Sequence, residues 1–173
     1  LGNGSKSSTN KPELIKNNIS MVDLGYDYSA AIDTKGNLYT WGNNYYGQLG
    51  TKNNADSLTP VKILNNVNYV SLGSNHSGAI TKDNELYTWG NNQFGELGDK
   101  TITARNEPVK VADNVKYISM GSHTSLAISL DDTLYTWGNN SYGFYLGDGT
   151  RTDRNAIPTI DKPKTGSTIS TQN

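Results

Sequence analysis

The segment Leu38-Tyr39-Thr40-Trp41-Gly42-Asn43-Asn44 recurs unchanged at 86–92 and 134–140, which sets Trp41, Trp89 and Trp137 48 residues apart. A seven-residue string returning at one fixed interval is not a chance event. Periods of this length belong to propellers, solenoids and arrays, in which one small unit that cannot bury its own apolar face is stacked on copies of itself. The same interval separates Leu1-Gly2, Leu49-Gly50 and Leu97-Gly98, then Pro12, Pro60 and Pro108, then Gly25, Gly73 and Gly121. The third copy carries one extra residue before Leu146-Gly147 and another before Pro158, both in loops, where added length is tolerated.

Composition narrows the class of unit. Only 34% of the 173 residues are hydrophobic and mean hydropathy is −0.65, too little for a thick three-layer core. Eighteen glycines fit many turns, and eleven tyrosines against two phenylalanines fit half-buried sheet faces where the ring packs and the hydroxyl stays wet. A net charge of −1 gives no footprint for nucleic acid or an anionic membrane. The absence of cysteine removes disulfides, thiolate metal sites and thiol catalysis. Neither a secretory leader nor an apolar run long enough to span a bilayer is read in these residues.

Within one period the pattern predicts four short strands, at Pro60–Leu64, Tyr69–Leu72, Ser77–Thr81 and Leu86–Trp89, with a tight turn at Gly73–His76 and no helical periodicity. The turn between the last two strands places Gly36, Asn84 and Asp132 at one repeat position. Those three residue types best tolerate the positive φ that a tight hairpin demands. The expected fold is therefore all-β, with four-stranded blades stacked as in a β-propeller. Ala30-Ala31-Ile32 and Ala79-Ile80 are expected in narrow strands near the axis, with Gly25, Gly73 and Gly121 marking close backbone approach. Residues 1–160 hold a partial unit (1–15) and three further copies, and 161–173 read as a flexible tail or linker.

The ordered motifs Gly-x-x-x-Ser-x-Ala-Ile, a short hairpin, Leu-Tyr-Thr-Trp-Gly-Asn-Asn and Gly-x-Leu-Gly resemble the regulator of chromosome condensation repeat family over nearly the whole chain. The resemblance implies a seven-bladed propeller, of which this chain holds about 3.5 blades. The histidine usual three residues after the repeat glycine stands only at His76; Tyr28 and Thr124 replace it elsewhere. The best-known eukaryotic member exchanges guanine nucleotides on a small nuclear GTPase, and bacterial relatives include secreted propeller inhibitors of β-lactamases. The cysteine-free, asparagine-rich composition is similar to bacterial surface or secreted relatives, which suggests an extracellular or cell-surface location, with the cytoplasm left open.

An incomplete ring has bare ends. One four-stranded face offers roughly 330 Å², and leaving it wet forgoes on the order of 8 kcal/mol. The chain is thus expected to be a segment of a longer propeller, or to pair as a homodimer that closes the ring, or to stand as a monomeric arc.

Little here points to catalysis. Trp41, Trp89 and Trp137 share one context and are read as inter-blade packing rather than a stacking ladder for a ligand. Asn43-Asn44 and its counterparts are read as turn chemistry, as are Asp33, Asp83 and Asp131. The two histidines, His76 and His123, occupy different repeat positions and suggest no metal site; no cofactor is implied. The informative positions are those that vary between copies. The turns Tyr26-Asp27-Tyr28, Ser74-Asn75-His76 and Ser122-His123-Thr124 are expected on one rim, where their residue types suit recognition of another protein. Loops 51–59, 99–107 and 148–157 form a second variable set. The expected function is non-enzymatic protein–protein recognition, with a hydrolase inhibitor or a guanine-nucleotide exchange factor as alternatives.

Overall fold

A computed structural model describes residues 1–141 and 145–161, in which every regular element is a strand. The first sheet runs in chain order through β1 (Ile19–Leu24), β2 (Tyr28–Asp33), β3 (Leu38–Gly42) and β4 (Ser57–Leu64). The second repeats it with β5 (Val67–Leu72), β6 (His76–Thr81), β7 (Leu86–Gly90) and β8 (Arg105–Ala112). The third holds β9 (Val115–Met120), β10 (Thr124–Ser129) and β11 (Leu134–Gly138). Its fourth place is begun by Arg154, which bridges Gly138 much as Ser57 pairs with Gly42 and Arg105 with Gly90. The expected hairpin geometry is present: Gly36, Asn84 and Asp132 have φ of 86°, 61° and 68°.

The sheets are phased one strand later than the sequence reading placed them. The proline strand does not open a unit. It closes the preceding sheet, with β4 pairing along β3 through Thr40↔Val61 and Gly42↔Ser57. The long loop after β3 folds back onto the strand it has just left, fastened where Thr40 Oγ1 donates to the Leu49 carbonyl at 2.7 Å. The link from β4 to β5 is only residues 65–66, and there the chain crosses to the next blade, Val67 N donating to the Gly36 carbonyl. Pro60 and Pro108 thus lie on outermost strands bonded on one side, where a missing N–H costs nothing. The alanine strands shift accordingly: β2 and β6 stand second in their sheets, and the contacts nearest the axis join β1 to β5 and β5 to β9.

The core lies between the sheets. One apolar cluster joins Tyr28, Ile32 and Leu49 of the first blade to Val70, Leu72 and Trp89 of the second. Another joins Ile80 and Leu86 to Ile118, Met120 and Trp137. β6, covered on both faces, is buried at all six positions, whereas β1 alternates between half-buried and exposed residues. Two polar side chains cross the junctions at matching places: Asp23 Oδ2 accepts from Leu72 N at 2.7 Å and Ser71 Oγ from Met120 N at 3.0 Å. Ahead of β1, Leu1-Gly2 lies against the Trp41 indole as Leu49-Gly50 lies against Trp89. The tail read at 161–173 falls, beyond its first residue, outside the described residues.

Candidate partner-binding face

Most residues of the repeated string have an identifiable task. Leu38 and Leu86 fill the core. Thr40, Thr88 and Thr136 donate to the carbonyls of Leu49, Leu97 and Leu146. Trp89 and Trp137 are wholly buried and reach back one blade, donating from Nε1 to the carbonyls of Gln48 (2.9 Å) and Glu96 (2.7 Å). The tryptophans are packing groups, as expected. Gly42, Gly90 and Gly138 have φ near 100°, and a Cβ there would come within 2.6 Å of the carbonyls of Asp27, Asn75 and His123. Only glycine allows that approach.

The next two asparagines build the loops. Asn43, Asn91 and Asn139 donate their backbone N–H to those same turn carbonyls. Asn44 is buried and works as a hub: its Oδ1 accepts from Leu49 N, while its Nδ2 donates to the carbonyls of Asn53 and Ala55. Asn92 and Asn140 do the same for their own loops. A buried amide with every valence used holds an otherwise irregular loop in one shape. The asparagine pair is turn chemistry, in keeping with the sequence reading.

These bonds put the two variable sets on a single face. The β1–β2 turn and the loop after β3 leave the sheet at the same edge, and the Asn43–Asp27 bond ties them together. The face presents Tyr26, Tyr45, Tyr46, Ile102 and Tyr145 to solvent. Tyr45 and Tyr46 meet edge to face at 4.8 Å. Hollows of about 420 Å³, between Tyr46, Asn54, Ala104–Glu107 and Val109, and about 480 Å³, lined by Ser122–Thr124, Asn139 and Tyr145, indent it. The opposite face consists of the hairpin tips and carries several paired charges. Lys110 pairs with both Glu85 (2.7 Å) and Asp113 (2.8 Å), Lys116 pairs with Asp132, and Asp83 accepts from Asn66.

The nine turn residues singled out from the sequence divide by position. Tyr26, Asp27 and Ser122 are exposed, and Ser74, Asn75 and His123 are partly so. Tyr28 and His76, by contrast, are buried between blades and are not available to a partner. The Tyr28 hydroxyl donates to the carbonyl of His76 at 2.6 Å and lies 3.0 Å from Ser77 Oγ. Burial pushes its phenol upward, away from ionisation. His76 Nε2 lies 2.9 Å from Ser125 Oγ, whose proton goes to the Glu96 carbonyl at 2.7 Å, so Nε2 carries the imidazole proton. Burial, with a smaller contribution from nearby His123, pushes His76 down to about 3. Thr124, at the same repeat position, is half-buried on the last blade. Gly25, Gly73 and Gly121 make room for this third residue, since a Cβ on Gly25 would lie 2.1 Å from the Tyr28 ring and one on Gly73 2.7 Å from that of His76.

Sequence reasoning missed Gln48 and Glu96. Both are polar, yet both are buried beneath the face, where their side-chain oxygens accept from Tyr46 N (2.9 Å) and Phe94 N (2.8 Å). Glu96 Oε1 also lies 3.3 Å from His123 Nδ1, and the His123 ring packs on Phe94 at 5.2 Å. Their fixed place between the glycines of Gly-x-Leu-Gly was the available signal.

Stacked antiparallel blades of three or four strands, with the indoles of the second and third locked under the loop of the blade before, define a β-propeller of the tryptophan-string type. The chain belongs to the Regulator of chromosome condensation (RCC1) repeat family, whose repeat matches residues 35–80 and 83–128 in one form and 19–48, 67–96 and 115–143 in another. It is 39% identical over 64 residues to the human E3 ubiquitin-protein ligase HERC2, a stretch covering 35% of this chain and 1% of the ligase. Among solved structures it resembles human WBSCR16 (24% identity, TM-score 0.72, 81% of this chain and 37% of that one). It also resembles yeast RCC1 (Prp20) bound to Kap60 (23% identity, TM-score 0.73, 85% and 37%). A second Saccharomyces cerevisiae structure, of Prp20p and its binding properties to Gsp1p and histones, gives 24% identity, TM-score 0.71, and 85% and 39% coverage. The chain therefore spans well under half the length of each of these relatives, and the likeness to the solved structures shows the fold.

Proposed function

We propose that the chain is a non-catalytic recognition module whose loop-and-turn face docks another protein. One observation carries this reading: both sets of residues that vary between copies, and the exposed tyrosines with them, emerge on a single face, on loops held rigid by buried asparagines. Rigid loops lose little entropy on binding, and tyrosine brings large contact area with few rotatable bonds. The contact set is Tyr26, Asp27, Ser74, Asn75, Ser122 and His123, extended by Tyr45, Tyr46 and Tyr145. Partners of the yeast relative, Kap60, Gsp1p and histones, are proteins, which accords with a protein ligand here. Composition supports a place in a larger bacterial surface or secreted protein.

The test compares faces. Tyr26→Ala with Tyr45→Ala is expected to leave the melting curve unchanged and to abolish capture of the partner by immobilised protein. Lys35→Ala with Lys82→Ala, on the hairpin face, is expected to leave capture intact. The reverse result rejects the assignment. Screening the captured protein for hydrolase activity, and for nucleotide release if it is a GTPase, separates inhibition and exchange from simple docking.

A further inference from the structure

We propose that the hollow between the loop of the first blade and the outer strand of the second binds a neutral sugar, a hexopyranose or a short chain of them. The hollow, of about 420 Å³, forms wholly inside the chain, with Tyr46 and Asn54 on one side and residues 104–107 and Val109 on the other. Its size suits a small ligand, since such sites run from roughly 300 to 1,000 Å³. Charge is the first filter on what fits. Arg105 is paired with Asp99, its Nε at 2.8 Å and its Nη2 at 2.7 Å from Asp99 Oδ2, and Glu107 stands 3.6 Å from Lys52 Nζ. With each charge beside its opposite, the hollow favours neither an anion nor a cation. Polarity is the second filter. Asn54, Arg105, Asn106 and Glu107 are four of its seven lining residues, which excludes a wholly apolar ligand.

A sugar ring answers to what remains. Tyr46 gives an aromatic wall on which the C–H face of a pyranose packs. The amides of Asn54 and Asn106 and the Glu107 carboxylate face hydroxyls, which both donate and accept. The two amides hold each other loosely, Asn106 Nδ2 lying 3.5 Å from Asn54 Oδ1, so a hydroxyl can replace that contact. The walls are otherwise fixed. Lys52 N donates to Asn106 O at 2.8 Å, Asn54 Nδ2 to the Tyr45 carbonyl at 2.9 Å, and Tyr46 N to the buried Gln48. A site already in shape loses little entropy on binding. The second junction supplies the contrast. Its framework is the same, with Lys100 N donating to Asn155 O and Gly95 pressed on Asn155 as Gly47 is on Asn106. Yet Phe94, Ile102 and Ala156 stand where Tyr46, Asn54 and Glu107 stand at the first. Packing is thus met without the amide and the carboxylate, and does not account for their presence in the hollow.

Sugar binding in the hollow does not require protein docking by the surrounding turns, and it is tested without a protein partner. The chain is titrated with the methyl glycosides of glucose, galactose, mannose and N-acetylglucosamine and followed by saturation-transfer and amide NMR. At least one glycoside is expected to receive saturation and to shift the side-chain amides of Asn54 and Asn106, with millimolar affinity. Inorganic phosphate, a probe of simple charge, is expected to leave them in place. Asn54→Ile with Glu107→Ala copies the second junction, where the fold already holds both residues. This double variant is expected to keep its melting curve and to bind the glycoside at least tenfold more weakly. Tyr46→Phe keeps the ring and is expected to bind like wild type, whereas Tyr46→Ala is expected to lose binding. Should the double variant unfold, Glu107→Ala alone, at an exposed position, is expected to weaken the glycoside. No glycoside moving those amides overturns the proposal. So does phosphate moving them where the glycosides do not, or any of the weakened variants binding as tightly as wild type.

Discussion

The junction between the first and second blades and that between the second and third are fastened by the same backbone framework, yet different side chains cross them. Lys52 N donates to Asn106 O across one and Lys100 N to Asn155 O across the other; Val67 and Val115 donate to Gly36 and Asn84. At the first junction a phenol spans the gap, Tyr28 reaching the carbonyls of Gly73 (3.2 Å) and His76 (2.6 Å). At the second a smaller imidazole stands in the same place and reaches only Ser125. The turns there close up until Ser74 N donates directly to Gly121 O at 3.2 Å and the Ser74 and Ser122 hydroxyls meet at 3.3 Å. The smaller third turn residue thus accompanies directly bonded neighbouring turns on the loop-and-turn face. Variation between copies at that position falls inside the junction, and variation at the two preceding positions falls on the surface.

The strongest challenge to the equivalence of the two junctions is removal of an indole. Trp89→Ala and Trp137→Ala should each cost about 3–5 kcal/mol in urea unfolding, because both rings are buried and both donate to a carbonyl of the preceding blade. A gap between them of more than about 2 kcal/mol would break the comparison. Acid should then separate the junctions. His76 takes up a proton below 6.5 in the unfolded chain but not until about 3 in the folded one. Its contribution is therefore intact above 6.5 and lost as the pH falls towards 3, amounting to about 3 kcal/mol by pH 4.5. His76→Gln should flatten that limb of the stability curve, and an unaltered limb would refute the assignment. Tyr28→Phe deletes the phenol bonds of the first junction and should cost about 1–2 kcal/mol without changing the pH dependence. Glu96→Gln copies Gln48, keeps an acceptor for Phe94 N, and should shift stability by less than about 1 kcal/mol.

The repeat period made the blades legible, because stacking demands identity wherever the same bond recurs. The hairpin at Gly36, Asn84 and Asp132 was legible for a related reason: one dihedral requirement admits few residue types. The phase of the sheets was not. A period of 48 is the same wherever counting begins, and only the fastening of Leu49 under Thr40 decides which sheet the proline strand joins. At the candidate site the rim was legible from its variation, but exposure was not, since Tyr28 and His76 vary as freely as Tyr26 and Ser74 while lying inside. Each is large and polar, and each finds a backbone carbonyl or a serine, so residue type alone could not assign it to either side. Gln48 and Glu96 went unseen because a polar side chain between glycines reads as surface until its partners are known.

The buried amides of Asn44, Asn92 and Asn140 have a consequence for how such a chain diversifies. Each locks its loop by grasping mostly main-chain atoms of residues that can themselves change. Loop shape at 51–56 rests on the Asn44 amide together with the side chains of Thr51, Asn53, Asn54 and Asp56, which leaves Lys52 and Ala55 as the positions there whose side chains make no bond within the loop. Substitution at such positions changes the surface of the loop without redesigning the blades that carry it.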